Sequence, residues 1–286
     1  MAFLRVKRVR GRPYVYLVEN VWDRPRGQPR QRVLSYLGRL DRVRPEQLPG
    51  KHRTPEILRT LREKQEIEKR RVGAAAERQR AQLTEVLLRG DPGRARAVAR
   101  AAIRELGEEE FLHGVLSESM REVGRRWSEG TATVSQEHLA TSIVASFLSR
   151  LNGPLRSKIS TGPEVVVCVP EGEYHTLPLL LAERPLLEKG YRVINIGPSA
   201  PTESTAAFVR ARGPFGVLIS VTQPACIEAA RALARRLRRE LPEVRIAVGG
   251  QAVEHSPSTA EIRGVDLYRG SLGEYLAAWP AAHGRL

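Results

Sequence analysis

At 286 residues, with 41% apolar side chains, the chain is long enough for two to three globular domains and too rich in core-formers to be disordered. No uninterrupted apolar stretch approaches the ~20 residues that a membrane span needs. The alternation of charged and apolar residues over Met1–Lys7 lacks the apolar block of a signal peptide. Cys168 and Cys226, the two cysteines, both sit in apolar runs that suit packing better than cross-linking. These features point to the cytoplasm.

The formal net charge is +15, and it is unevenly spread. Residues 1–60 hold fifteen Lys/Arg against five Asp/Glu, so ten of the net positive charges lie there. Such an excess attracts polyanions through counterion release without implying sequence preference. The dominance of Arg over Lys throughout is equally what a GC-rich or thermophilic proteome gives. That bias leaves the local shortage of acids unexplained, and nucleic-acid contact by residues 1–60 is the expectation.

In chain order, residues 3–10 alternate Leu4, Val6 and Val9 with basic side chains, and Gly11-Arg12-Pro13 marks a turn. Tyr14–Asn20 and Arg32–Leu37 are rich in β-formers, with Asp23–Gln31 reading as a loop between them, so the opening segment is a small basic β-meander. Residues 55–82 are helix-formers with dense mixed charge and sparse apolar positions, a solvated connector. Asp91-Pro92 then starts an amphipathic helix that Gly107 ends, and Glu108–Glu110 open another that runs to Trp127 and stops at Gly130. Ser135 is a candidate N-cap for a last helix carrying Leu139, Ile143, Val144, Phe147 and Leu148. Four short-looped helices of this kind make a bundle.

From Glu164 the periodicity changes. Val165–Val169, Arg192–Ile196, Gly216–Ser220, Val244–Val248 and Val265–Tyr268 are short strand-like runs. Helical patterns over 178–189, 202–212 and 225–240 separate the first four, and one over 272–282 follows the fifth. That alternation predicts a doubly wound parallel sheet. The fold class is therefore multi-domain α/β: a basic β-rich module over 1–50, a charged helical connector over 51–80, a four-helix bundle cap over 81–155 and a parallel-sheet domain over 163–286.

Ligands of such sheets sit at the carboxyl ends of the strands. The residues expected there are Glu173 and His175 after the first strand, Gly197 after the second, Ser220 and Thr222 after the third, and Gly249 and Gly250 after the fourth. His175 is either a surface-loop histidine or a metal ligand whose second ring nitrogen is held by Glu173. The small residues suit close approach by a bulky planar ligand with a long tail, and the hydroxyls of Ser220 and Thr222 are candidate donors to it. Neither G-x-G-x-x-G nor G-x-x-x-x-G-K-[ST] occurs, which argues against dinucleotides and ordinary nucleoside triphosphates. One His-Glu pair is too few ligands for zinc. In the helical region, Trp127 is followed by Glu137-His138 across one turn. The indole is either bundle core or a flat apolar lid beside two polar groups. His52, His113, His255 and His283 show no partner pattern.

Taken together, residues 80–286 resemble the cobalamin-binding module of the CarH-type adenosylcobalamin photoreceptor regulators, whose helical cap is related to that of methionine synthase. The resemblance implies that His175 is the lower cobalt ligand, Glu173 its acidic partner, and Trp127, Glu137 and His138 the shield over an upper adenosyl group. It implies cobalamin as cofactor, adenosylcobalamin by preference and methylcobalamin otherwise. The implied role is that of a cobalt-binding, photoreceptor-like transcription regulator that binds DNA, rather than an enzyme. A homo-oligomer is part of that expectation; no protein partner is legible. A corrinoid carrier for methyl transfer and a degenerate cobalamin-fold scaffold are the alternatives.

Three positions depart from the regulators. Pro178 replaces the usual glycine of Asp/Glu-x-His-x-x-Gly, Thr222 replaces a leucine, and Ser128 stands where the regulators carry a histidine that captures cobalt after illumination. The winged helix-turn-helix of the regulators has no counterpart in residues 1–60. That segment is instead weakly similar to the opening β-rich segment of some DDE-type transposases, without their acidic triad.

Overall fold

The computed structural model describes residues 2–9, 11–24, 27–159, 161–255, 264–270 and 272–280. The chain divides into two units, Met1–Ile143 and Val144–Leu286.

The first unit opens with an antiparallel sheet in the order β1 (Ala2–Val9), β2 (Arg12–Asp23), β3 (Gln28–Arg39). The strands reach further than the prolines suggest: Trp22 pairs with Pro29 and Asn20 with Gln31, inside the segment expected to be a loop. Proline is tolerated there because β3 is an edge strand, where a missing N–H breaks no further ladder. One face of the sheet carries Leu4, Val15, Leu17 and Leu37, which pack with Leu40, Val43 and Leu48 on Ile57 and Leu61.

Ile57 and Leu61 belong to α1 (Pro55–Leu88), a single helix that runs from the sheet into the cap. The expectation of a solvated connector is corrected here. Six of its apolar residues fall on one stripe and are buried, Ile57, Leu61, Ala75, Ala76, Leu83 and Leu87, while Ile67 is exposed. Glu68, also buried on that stripe, is ion-paired to Arg8 of β1 and to Arg71. Sparse apolar positions suffice when they recur at helical spacing.

The cap continues with α2 (Pro92–Leu106), whose N-cap Asp91 accepts from the Arg94 amide at 2.9 Å, with Pro92 in the first turn as expected. Next, α3 (Glu108–Glu110) passes through a π-helical stretch, Phe111–Ser117, into α4 (Glu118–Ser128). Helix α5 (Val134–Lys158) closes the set. Its cap is Thr133, not Ser135: the Thr133 hydroxyl accepts from the Gln136 amide at 3.2 Å, while the Gln136 side chain accepts from the Thr133 amide at 2.9 Å. This reciprocal pair satisfies two end donors at once, which Ser135, already inside the first turn, cannot do.

The second unit holds five parallel strands in the order β5-β4-β6-β7-β8: β4 (Glu164–Cys168), β5 (Arg192–Asn195), β6 (Gly216–Ser220), β7 (Arg245–Gly249) and β8 (Asp266–Leu267). Val165 and Val167 face a layer containing Leu179 and Leu186 of α6 (Leu177–Glu188) and Leu276 of α10 (Leu272–Ala277). Val166 and Cys168 face the opposite layer, built from α7 (Thr202–Arg212) and α8 (Ile227–Glu240). Two covered faces explain why the strands read as unbroken apolar runs. Between β7 and β8 lies α9 (Gln251–His255). The expected helix end at Ala281–Ala282, the imidazole of His255 and all of His283 lie outside the described residues.

Strand order reverses between β4 and β6, so the loops leaving those two strands diverge and open a crevice at their carboxyl ends. Glu173 follows one of these strands and Thr222 the other.

Candidate functional site

Glu173 is fully buried and gathers five donors. Its Oε1 accepts from the amides of Tyr174 and His175, both at 3.1 Å, and from His175 Nδ1 at 2.6 Å. Its Oε2 accepts from the amides of Thr222 and Gln223 at 2.9 and 2.8 Å. Burial by itself raises a carboxyl pKa, but the bonds from His175 and from the Gln223, His175 and Thr222 amides outweigh it and lower this one to about 2. Glu173 is therefore ionised and can only accept. The proton of the shared bond sits on His175 Nδ1, and in the neutral imidazole the lone pair lies on Nε2. The His175 side chain is 44% exposed at the mouth of the crevice. A neutral imidazole with one nitrogen held by a carboxylate is the arrangement of a metal-ligating histidine.

The loop that carries this pair is itself pinned. Ser199, after β5, holds φ at +46°, in a region that non-glycine residues rarely enter. Its amide donates to the Glu173 carbonyl at 2.9 Å, and its hydroxyl accepts from the Gly172 amide at 3.0 Å. Sequence reasoning missed Ser199, because nothing in Gly-Pro-Ser marks a left-handed serine. Pro178 is accommodated in the first turn of α6, where its missing N–H costs no helical bond.

Other expected site residues have different neighbours. Thr222 contributes its backbone amide, which donates to Glu173. Ser220, at the end of β6, is buried. Gly197 faces open space at the mouth of β5. The two glycines at the end of β7 make room for protein. A Cβ on Gly249 would lie 2.2 Å from the Tyr268 ring, and one on Gly250, at φ +109°, would lie 2.5 Å from the Val221 carbonyl. Tyr268 stacks on Tyr275 with ring centroids 5.1 Å apart. Gly249 and Gly250 thus leave room for Tyr268 and Val221.

In the first unit, Trp127 lies in the last turn of α4 and is 47% exposed, so it is not bundle core. Glu137 and His138 lie in the first turns of α5, across residues 129–133. Glu137 accepts from the Thr141 hydroxyl at 2.8 Å and stands 3.6 Å from His138 Nε2. Exposed Val134 and Leu139 flank them on the same helix start. Ser128 donates its hydroxyl proton to the Arg125 carbonyl at 2.8 Å. Among the described residues no group of three or more His, Cys, Asp or Glu could hold a metal ion on its own.

Residues 163–278 match a B12 binding domain, and residues 79–152 match a second B12 binding domain model. The chain thus carries two regions of B12 binding domain type. The start of the chain is distinct: residues 4–79 match the IS1634 family transposase N-terminal domain. The chain is 34% identical over 158 residues to the HTH-type transcriptional repressor CarH of Myxococcus xanthus, covering 54% of this chain and 52% of that protein. To the repressor CarA of the same organism it is 29% identical over 172 residues, covering 60% of this chain and 57% of CarA. The chain thus spans about half the length of these curated relatives. The monomethylamine corrinoid protein of Methanosarcina barkeri shares the fold, with a TM-score of 0.51 at 16% identity, over 65% of this chain and 89% of that one. No helix among the described residues is long and apolar enough to cross a membrane.

The donor set fits cobalamin. A single imidazole with a carboxylate behind it suits a corrin, which already fills four cobalt positions and needs only axial ligands, whereas a bare metal ion would need more protein donors.

Proposed function

We propose that this protein is a cobalamin-dependent regulator in which the state of the corrinoid controls nucleic-acid binding through the basic N-terminal module. The observation that carries this reading is the Glu173–His175 pair at the strand-order reversal, with its tautomer fixed by a buried carboxylate. In this reading His175 is the lower cobalt ligand. Gly197, Ser220 and Thr222 line the way for the nucleotide tail, with Gly249 and Gly250 holding the wall, and Trp127, Glu137 and His138 cover the upper ligand. Bound cobalamin would supply a cobalt–carbon bond that light or a methyl acceptor can break. The half-exposed indole of Trp127 suits a large apolar-faced upper group, which favours adenosylcobalamin over methylcobalamin. Similarity to two repressors and the separate basic module favour a regulator over a corrinoid carrier, which the fold likeness alone would equally allow.

The deciding measurement is the absorption spectrum of the full-length protein with adenosyl-, methyl- and hydroxocobalamin, before and after green light, followed by size-exclusion and DNA-binding profiles of both states. Light cleaves adenosyl–cobalt bonds in almost any host, so a change in assembly or affinity is the informative result. A ligand moves a conformational equilibrium only by its differential affinity for the two states. Identical profiles in dark and light would remove the light-sensing part and leave the carrier or the scaffold.

Trp127→Ala is expected to weaken adenosylcobalamin binding by roughly threefold to tenfold and hydroxocobalamin binding much less, since only the former has an adenosyl group to cover. Equal losses in parallel titrations would assign the indole another role. Because Ser128 offers no imidazole, the illuminated state is expected to revert quickly, and Ser128→His to prolong it. Recovery kinetics after a light pulse check this, and unchanged lifetimes would count against a trapping site at position 128.

A further inference from the structure

The N-terminal sheet has a second face. Antiparallel partners point their side chains to the same side, so the residues that Leu17 and Val15 leave opposite can be read from the register. On β2 they are Tyr14, Tyr16, Val18, Asn20 and Trp22; on β1, Phe3, Arg5 and Lys7; on β3, Pro29, Gln31, Val33, Tyr36 and Arg39. None of these is acidic. Tyr36 stacks on Tyr14 with ring centroids 6.2 Å apart and lies 5.2 Å from the ring of Tyr16. Tyr36 is 57% exposed and Trp22 65%, and Phe3 and Val33 are exposed beside them. Arg5 and Lys7 are exposed along β1, with Arg5 donating to the Gln31 side chain at 2.6 Å. Arg39 is occupied by Asp41 and Glu109.

Burying apolar surface is the ordinary use of such side chains, and the opposite face already does so against α1. An open row of rings bordered by cations on one strand has a different physical meaning. Aromatic faces stack on unpaired bases of any sequence, while cations follow the phosphates. Bases in a duplex are already stacked on one another and present only their edges in the grooves, where a helix or a two-stranded ribbon enters. A three-stranded sheet offering ring faces suits splayed, single-stranded bases.

We propose that this face binds single-stranded nucleic acid, its bases stacking on Tyr36, Tyr16 and Trp22 and its phosphates running along Arg5 and Lys7. The inference rests on the reading of the N-terminal module as a nucleic-acid binder and names the form of nucleic acid it takes.

The test is fluorescence anisotropy of the full-length protein with a labelled oligothymidylate and with a labelled duplex of equal length. The single strand is expected to bind more tightly than the duplex. Tyr36→Ala and Tyr36→Leu should each weaken single-strand binding by about tenfold, while Tyr36→Phe, which keeps the flat ring, should retain it. Unchanged cobalamin spectra and circular dichroism in these variants exclude misfolding as the cause. Changing Arg5 and Lys7 to Gln should flatten the salt dependence of the single-strand affinity. Tighter duplex binding that is indifferent to Tyr36 would overturn this proposal and leave the general nucleic-acid reading standing. Absence of binding to either probe at low salt would overturn both. A concentration-dependent dimer that Tyr36→Ala dissolves, with no single-strand binding, would give the face to a second copy of the chain.

Discussion

Replacing His175 with alanine is expected to lower cobalamin affinity by tenfold or more and to shift the bound spectrum to that of a corrin without a lower nitrogen ligand. The loss of one metal–imidazole bond sets the direction. The size is judged against the ~10–100-fold that loss of an outer-shell partner alone typically costs. The fold should survive, because the side chain is 44% exposed and the Glu173 carboxylate keeps its four backbone donors. Spectral titration of the variant, with exogenous imidazole as a rescue arm, measures the effect. Wild-type spectrum and affinity in His175→Ala would dismiss this histidine as the cobalt ligand. Partial recovery by imidazole would show that the missing group is the ligand itself rather than the shape of the loop.

Glu173→Gln should damage both binding and stability. The amide keeps one acceptor oxygen but turns its NH2 toward donors that need an acceptor, so at least two buried N–H groups lose their partner, at about 1–3 kcal/mol each. Where the NH2 faces His175 it also releases the tautomer of that ring, for which a further ~10–100-fold loss in cobalamin affinity is expected. The pH dependence has a definite sign. Glu173 is lowered from 4.5 to about 2 in the folded protein, so its contribution is fully present above about pH 4.5 and is lost as pH falls toward 2. The stability gap between wild type and Glu173→Gln, followed by urea titration, should therefore narrow over that interval. A gap that stays constant with pH would mean that the carboxylate charge contributes nothing to folding.

Much of this protein was legible in its sequence because local chemistry and tertiary need coincide. Each β-branched run between helical patterns became a strand of the parallel sheet, since a strand covered on both faces must be apolar on both sides. Asp91-Pro92 and Gly107 bounded a helix because their constraints act on their own backbone. The Glu-x-His step was visible for the same reason: two residues apart on one loop, the carboxylate reaches both the ring and the amide of His175 with no help from elsewhere.

Where long-range partners decide, the sequence was silent or misleading. That Glu173 is ionised despite complete burial depends on amides of Thr222 and Gln223, some fifty positions away in sequence. Nor does the left-handed backbone of Ser199 follow from serine; the surrounding hydrogen bonds impose it. Gly249 and Gly250 looked like space for a ligand, and only the folded chain shows Tyr268 and Val221 occupying it. Helix α1 looked solvated because its mean composition is polar, yet a sparse stripe at helical spacing was enough once the sheet and the cap helices supplied surfaces to cover it. Sequence alone determined the elements, their class and the loop that bears the imidazole, through forces that act within a few residues. The tertiary structure decided which groups share protons, which face of the first sheet stays open and which glycines are filled, because those outcomes depend on contacts between segments far apart in the chain.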